Sequence, residues 1–463
     1  MLNEILNGIS NIIWGTPTVI LLLGLGVFFT SKSNFFQIKG IKTVFKDTLC
    51  SFKNTDKERG VSRFGAFTVT LAACVGTGNI SGVAVAITTG GPGAVFWMWV
   101  SAIFGMMTAY VENALSRLYI NKENNGKLVG GAMYFLQNGL KNKRFIKCLA
   151  KPLAILFSYF CILSSFGIGN LTQINTIMNV CEKSIFPAFN IKLSSGICGL
   201  IFSLLIGFII FGGTKKITAI TGILVPIMAI FYMGGCLAVI IKNISLLPTA
   251  LFSIIKSAFG YDAVLGGFCG ITFKKAVSLG VRRGIFSNEA GLGSSPLANS
   301  TVENLTPKQQ GEMAIIAVFI DTIVICTLTA LVILVGGCVD INTGISSNGL
   351  SGANLVSAAF KNNFGDYAGG FIAISTLMFA FSSIIGWSFY GIKSAEYLYG
   401  NKAIFAYKII YSSVSFLGAI LNMATIWTLS DIFNGLMMTV NLTGIILLMP
   451  EILNINIFNK LEK

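Results

Sequence analysis

The chain has 463 residues, of which 54% are hydrophobic and only 11% charged. Soluble globular domains carry about one quarter charged residues, so the composition excludes an ordinary soluble domain and points to a polytopic α-helical membrane protein. The net charge of +15 does not indicate nucleic-acid binding, because the basic residues gather in short connections between apolar runs, as in membrane proteins.

The 51 glycines suit membrane helices, and the chain has 10 cysteines and no histidine. Cysteines such as Cys161, Cys198, Cys236 and Cys326 lie in apolar stretches without CxxC spacing. They read as small packing residues, and a zinc site or thiol enzyme finds no support. The missing histidine removes the usual proton relay. No cofactor is expected.

Eleven apolar windows approach the length that crosses a bilayer. They are 12–29, 66–88, 94–118, 154–180, 195–213, 217–240, 262–286, 311–336, 367–391, 404–424 and 428–449. The first lacks a convincing small-residue cleavage site and reads as a retained helix. The connections 30–65 and 119–153 are rich in Lys and Arg, which makes them cytoplasmic; eleven spans then put the N-terminus outside and the C-terminus inside. Within 30–65, Phe35, Phe36, Ile38 and Ile41 alternate with Lys39 and Lys42. That pattern fits a short interfacial helix or an ordinary basic loop.

In the second window, Gly76, Thr77, Gly78 and Asn79 interrupt an apolar run. Bare backbone groups in hydrocarbon are costly, so a break there is tolerated where it lines a cavity or holds an ion. Freed N–H groups suit a carboxylate and freed carbonyls suit Na⁺. Close packing through small residues is the plainer alternative. Gln173 in the fourth window is a buried amide, suited to the same cavity or to a helix–helix hydrogen bond.

The seventh window repeats the pattern. Gly266, Gly267 and Gly270 interrupt it, followed by Thr272 and Phe273. Paired interruptions in two halves of a chain point to a transporter site between repeats. Arg282, Arg283, Asn288 and Glu289 then form a polar cluster at the expected cytoplasmic end, readable as an inner gate or as a loop cap. Asp321 lies about ten residues into the eighth window, roughly 15 Å deep. An intramembrane acid is a functional candidate by default; it can neutralise a cation, relay a proton or accept structural hydrogen bonds. In the ninth window, Ser382 and Ser383 can cap carbonyls, join helices or hold Na⁺, and Trp387 can cover a small solute or fill the core.

These segments resemble the alanine or glycine:cation symporter family, the sodium:alanine symporters. The resemblance rests on VGTGNISGVA at 75–84, GGPGAVFWMWVSAIFG at 90–105, RRGIFSNEAGLGSSP at 282–296, FIDTIVICTLTALVI at 319–333 and IIGWSFYG at 384–391. It implies eleven helices: an extra first one at 12–29, then a five-plus-five inverted repeat of the amino-acid–polyamine–organocation (LeuT-like) type over 66–240 and 262–449. It implies Na⁺-driven uptake of a small neutral amino acid across the cell membrane, with lipid as surroundings and no covalent chemistry. Alanine and glycine lead; glutamine or serine, and H⁺ in place of Na⁺, remain alternatives, and a channel is a weaker one. The implied substrate residues are Gly76, Thr77, Gly78, Asn79, Gln173, Thr272, Phe273 and Trp387. The implied cation ligands are Ala72, Val75, Asn79, Ser382 and Ser383. The residue pattern itself, apart from the resemblance, adds Asp321, Arg282, Arg283 and Glu289 as coupling or gate candidates.

Overall fold

The computed structural model describes residues 2–53, 61–122, 128–141, 143, 146–182, 186, 193–260 and 269–454. Among these, eight helices are long and apolar enough to cross a bilayer: Glu4–Lys32, Gly93–Leu118, Lys147–Val180, Gly213–Lys242, Pro307–Val335, Ala368–Tyr399, Asn401–Ile420 and Thr425–Leu447. A ninth candidate is the pair Arg63–Cys74 and Thr77–Gly90, bent by 52°. The two remaining windows coincide with Ser195–Phe211, of 17 residues, and with Cys269–Asn288, which its lysines and glycines make less apolar.

The basic connection 30–65 is helical over Phe36–Lys39 and Ile41–Lys53. It does not merely skim the surface. Phe36 turns its ring to Tyr110, with centroids 6.1 Å apart, and Phe45 meets Phe319 at 5.4 Å.

Elements with basic connections gather on one side. Arg117 donates to the carbonyls of Val302 and Leu305, and Lys143 pairs with Glu451 at 3.7 Å. The loop 340–354 lies at the opposite end, where Gly344 stands against Ile87 and Pro92.

The pairing that positions the site is between Gly93–Leu118 and the segment 269–300. The two run parallel. Gly280 backs onto Ala94 and Trp97, Gly284 onto Met98 and Ser101, and Gly105 onto Ala290. Further along, Asn113 bonds Ser295 at 2.8 Å and Ser116 bonds Ser300 at 2.6 Å. Small residues let the two backbones approach closely. Gly93–Leu118 stays unbroken, so it splints its partner where that partner departs from helix after Asn288. The unbroken helix Ala368–Tyr399 does the same for the bend at Val75–Gly76. A Cβ on Gly386 would fall 2.6 Å from the Ala73 nitrogen, which leaves no room for any side chain there.

Gly386→Ala therefore costs about 1–3 kcal/mol by overpacking and lowers the melting temperature of the purified protein. Gly370→Ala on the same helix is the control: nothing lies within 4 Å of its added Cβ, so its melting temperature holds or rises slightly.

Candidate functional site

The first break begins where Val75 closes the last helical bond, to the Leu71 carbonyl at 2.7 Å. Gly76 is then extended, and Thr77–Asn79 form a 3₁₀ turn. Buried backbone donors need partners, and here side chains supply them. Gly76 N–H donates to Asn79 Oδ1 at 2.9 Å, and Thr77 N–H donates to Gln173 Oε1 at 3.2 Å. Gln173 is itself fixed by a 2.9 Å bond from Nε2 to the Ile168 carbonyl, which the π turn Gly167–Leu171 presents. Without a side chain at 76, Gln173 and Ser383 can close over this backbone; a Cβ there would sit 3.0 Å from Ser383 and 3.3 Å from Gln173 Oε1.

Because Asn79 Oδ1 faces Gly76, its Nδ2 must face the other way. It donates to Asp321 Oδ1 at 2.7 Å and to the Asp321 carbonyl at 3.2 Å. Asp321 is fully buried in a π-helical stretch, Phe319–Cys326, a local widening that often marks functional sites. Its Oδ2 accepts from Ser287 at 2.7 Å and from Thr322 at 2.8 Å. Asn288 in turn donates to Thr322 at 3.1 Å. Asp321 thus joins the first break to the end of the helix Cys269–Asn288 using neutral donors. Among the described residues it forms no ion pair.

The second break is not at Gly270–Phe273. The chain is continuously helical from Cys269 to Asn288, and the helix ends where Glu289, Gly291 and Gly293 take positive φ values of 58°, 89° and 73°. Gly266, Gly267 and the Thr272 side chain lie outside the described residues. Phe273 sits about four turns before this break, partly exposed, with its ring edge-on to Trp97 at 5.8 Å. It is not brought to the first break. Phe286 stands there instead: a Cβ on Gly78 would lie 3.3 Å from its ring.

Glu289 Oε2 accepts from Ser294 at 2.5 Å, while Oε1 is buried without a partner. The carboxylate neighbours Asp321, Trp387 and Cys74. Trp387 is fully buried; its backbone side packs on Gly169, and its indole N–H is also unpartnered.

Ser382 donates to the carbonyls of Phe379 at 2.9 Å and Val75 at 3.4 Å. Ser383 reaches the Ala73 carbonyl at 3.1 Å. The carbonyls that accept from these hydroxyls are those of Phe379, Val75 and Ala73, and the Ala72 carbonyl accepts from neither.

Arg282 and Arg283 do not join Asn288 and Glu289 in one cluster. Arg282 pairs with Asp431 and donates to Ser10 at 2.6 Å, and Arg283 Nη1 is 3.8 Å from Asp431 Oδ1. The Arg283 guanidinium lies 4.9 Å from the Trp427 ring, which stacks on Phe286 at 5.0 Å. Arg283 also lines a 280 Å³ cavity with Ser81, Asn179, Asn354 and Trp427. This cavity faces the 340–354 side, so the pair belongs to the end opposite the basic connections. They are not at the end of the basic connections, where the sequence pattern puts them.

Sequence reasoning passed over Ser287, Phe286, Trp427 and Asp431. For Phe286 and Ser287 the signal was present in RRGIFSNEAGLGSSP, where Gly291 and Gly293 beside Asn and Ser mark a positive-φ break; Trp427 and Asp431 lie far along the chain and carry no such mark.

A profile of the "Sodium:alanine symporter family" matches residues 1–461. The chain is 37% identical over 461 residues to the sodium/alanine symporter AgcS of Methanococcus maripaludis, covering 99% of this chain and 98% of that protein. It is 39% identical to the probable sodium/glutamine symporter GlnT of Bacillus subtilis, covering 95% of this chain and 87% of GlnT. The structure of MhsT in complex with L-phenylalanine superposes with a TM-score of 0.56 at 14% identity, covering 83% of this chain and 89% of that one. That likeness extends to the fold alone. The full-length match to the profile and the close relatives place the chain in the sodium:alanine symporter family.

Proposed function

We propose that this protein carries a small neutral amino acid, alanine or glycine, into the cell together with Na⁺ by alternating access. The observation that carries the reading is the double bond-making of Asn79. Its oxygen holds the Gly76 N–H at the first break, and its nitrogen holds the Asp321 carboxylate. A carboxylate arriving at the N–H groups of Gly76–Gly78 and a cation arriving at Asp321 would act on opposite ends of one side chain. Each would then alter the affinity for the other, the reciprocal coupling that symport requires.

Asp321 lacks a basic partner among the described residues, and Na⁺ supplies the missing charge in this reading. Hard cations take oxygen ligands; Ser287 and Thr322 are at hand. The Val75 and Ala73 carbonyls with Ser382 and Ser383 offer a second cation position without a formal charge. The unpartnered Glu289 Oε1 is an acceptor for the substrate ammonium. Phe286 and Trp387 bound the space for its side chain, which favours small substrates over glutamine. In the bilayer we infer eleven spans, with 66–240 and 262–449 as inverted repeats, the N-terminus outside and the C-terminus cytoplasmic. The cavity at Arg283 then opens outward.

In proteoliposomes an inward Na⁺ gradient drives saturable uptake of labelled alanine, with glycine competing more strongly than glutamine. Uptake under a proton gradient alone would overturn the ion assignment, and stronger competition by glutamine would overturn the substrate. Asn79→Ala weakens both alanine affinity and Na⁺ dependence. Hydrogen bonds to charged groups contribute about 1.5–3 kcal/mol, or roughly 10–100-fold. Asp321→Asn raises the half-saturating Na⁺ concentration by ~10-fold or more, measured as uptake against Na⁺ concentration.

A further inference from the structure

The two breaks differ in what occupies them. At the first, the backbone donors are held only by neutral side chains, Asn79 and Gln173. At the second, an acid of the chain itself is already in place. Glu112, 1% exposed on the splint helix Gly93–Leu118, is joined to the Gly291–Gly293 backbone through Asn441, whose Nδ2 donates to both the Glu112 carboxylate and the Gly291 carbonyl and whose Oδ1 lies beside Gly293. Both glycines have positive φ, and alternation of backbone conformation of this kind turns successive N–H groups into an anion-binding concavity.

Asn441, from the helix Met423–Leu447, completes the arrangement. Its Nδ2 donates to Glu112 Oε1 at 2.5 Å and to the Gly291 carbonyl at 2.9 Å. The whole cluster is buried, and Glu112 makes no ion pair among the described residues. A buried carboxylate in hydrocarbon is costly unless hydrogen-bonded. Here Asn441 donates to it and ties it to the backbone of the second break.

We infer that Glu112 is the resident anion of the second break: a positioning residue that holds the segment 289–295 in its unwound form and ties it to the helices Gly93–Leu118 and Met423–Leu447. Two consequences follow from the geometry. The anion seat of the second break is filled, which leaves the first break as the seat for a substrate carboxylate. Ser287, one of the donors to Asp321, sits immediately before the segment that Glu112 fixes. Loosening that segment disturbs the Asp321 site without touching the backbone of the first break.

This inference rests on the symport reading for its transport readouts, and its test has one arm that does not. The variants are Glu112→Gln, Asn441→Asp and the two combined, all in the full-length purified protein. Glu112→Gln removes the charge; its maximal uptake rate falls at least ~10-fold and its half-saturating Na⁺ rises several-fold, while the half-saturating alanine at saturating Na⁺ moves less than ~3-fold. Asn441→Asp sets a second carboxylate against Glu112 and is also defective. The combination moves the single carboxylate to the other end of the same hydrogen bond. Asn441 Oδ1 stands on the Gly293 side, 2.6 Å from where a Cβ of Gly293 would lie, so the displaced charge still faces the break. The double variant therefore recovers at least a third of the wild-type rate. Melting temperatures in detergent follow the same course of loss and recovery. That arm stands even where the wild type takes up no alanine, an outcome that sinks the symport reading alone. Should a single variant fail to fold, recovery of folded protein in the double variant supports the inference. Glu112→Gln with unchanged rate, Na⁺ dependence and melting temperature overturns it, as does a double variant no better than the worse single one.

Discussion

A helix that stops inside a membrane leaves backbone donors and acceptors with no water to bind, and most of the polar architecture of this protein answers that constraint. At Val75–Gly76 the answer comes from four side chains: Asn79, Gln173, Ser382 and Ser383. At Glu289–Ser295 it comes from Glu112, Asn441 and the chain's own Asn288, which accepts the Ala290 N–H at 3.0 Å. The unbroken helices beside each break hold these groups in register. Glycines at the crossings bring the backbones close enough for short side chains to reach. Asp321 stands between the two systems and makes them one site.

The ends of the molecule are built differently, which suits alternating access. Toward the 340–354 side a cavity reaches Ser81 and Arg283, two to four residues from the groups that meet at the breaks. Toward the basic side the path is filled by neutral hydrogen bonds. Asn299 donates to Asn113 at 2.9 Å and accepts from Thr70 at 3.1 Å, and Gln310 donates to Ser300 at 3.0 Å. Each such bond contributes about 1 kcal/mol net, because water can replace it. A seam of this kind can open and hydrate at small net cost, where an apolar seam of the same size would resist wetting. The Arg282, Arg283 and Asp431 group at the other end carries formal charges and aromatic faces, and its closure over the cavity would be correspondingly more sensitive to salt.

The sequence made some of this legible and hid the rest for physical reasons. Hydropathy located the helices because each has to cross hydrocarbon. The first break was legible because Gly-Thr-Gly-Asn puts polar groups where an apolar run should continue. The second was misplaced because glycine density marks close packing and unwinding alike. Gly280 and Gly284 serve packing, while Gly291 and Gly293 serve positive φ. With the break placed early, Phe273 is assigned the position beside Gly78 that Phe286 holds, and Arg282 and Arg283 are assigned to the end of the basic connections rather than the 340–354 end. Glu112 drew no notice: an acid near the end of a long helix looks like an interfacial charge until the break is seen beside it.

The central claim is that one side chain, Asn79, links the amino-acid seat to the cation seat. The most direct measurement is equilibrium binding to the purified protein, with alanine affinity taken across a range of Na⁺ concentrations and Na⁺ affinity taken with and without alanine. Linkage requires the two ligands to strengthen one another by the same factor, and the account predicts that this factor collapses toward one in Asn79→Ala. Alanine affinity independent of Na⁺ in the wild type, or a coupling factor unchanged in the variant, would contradict it.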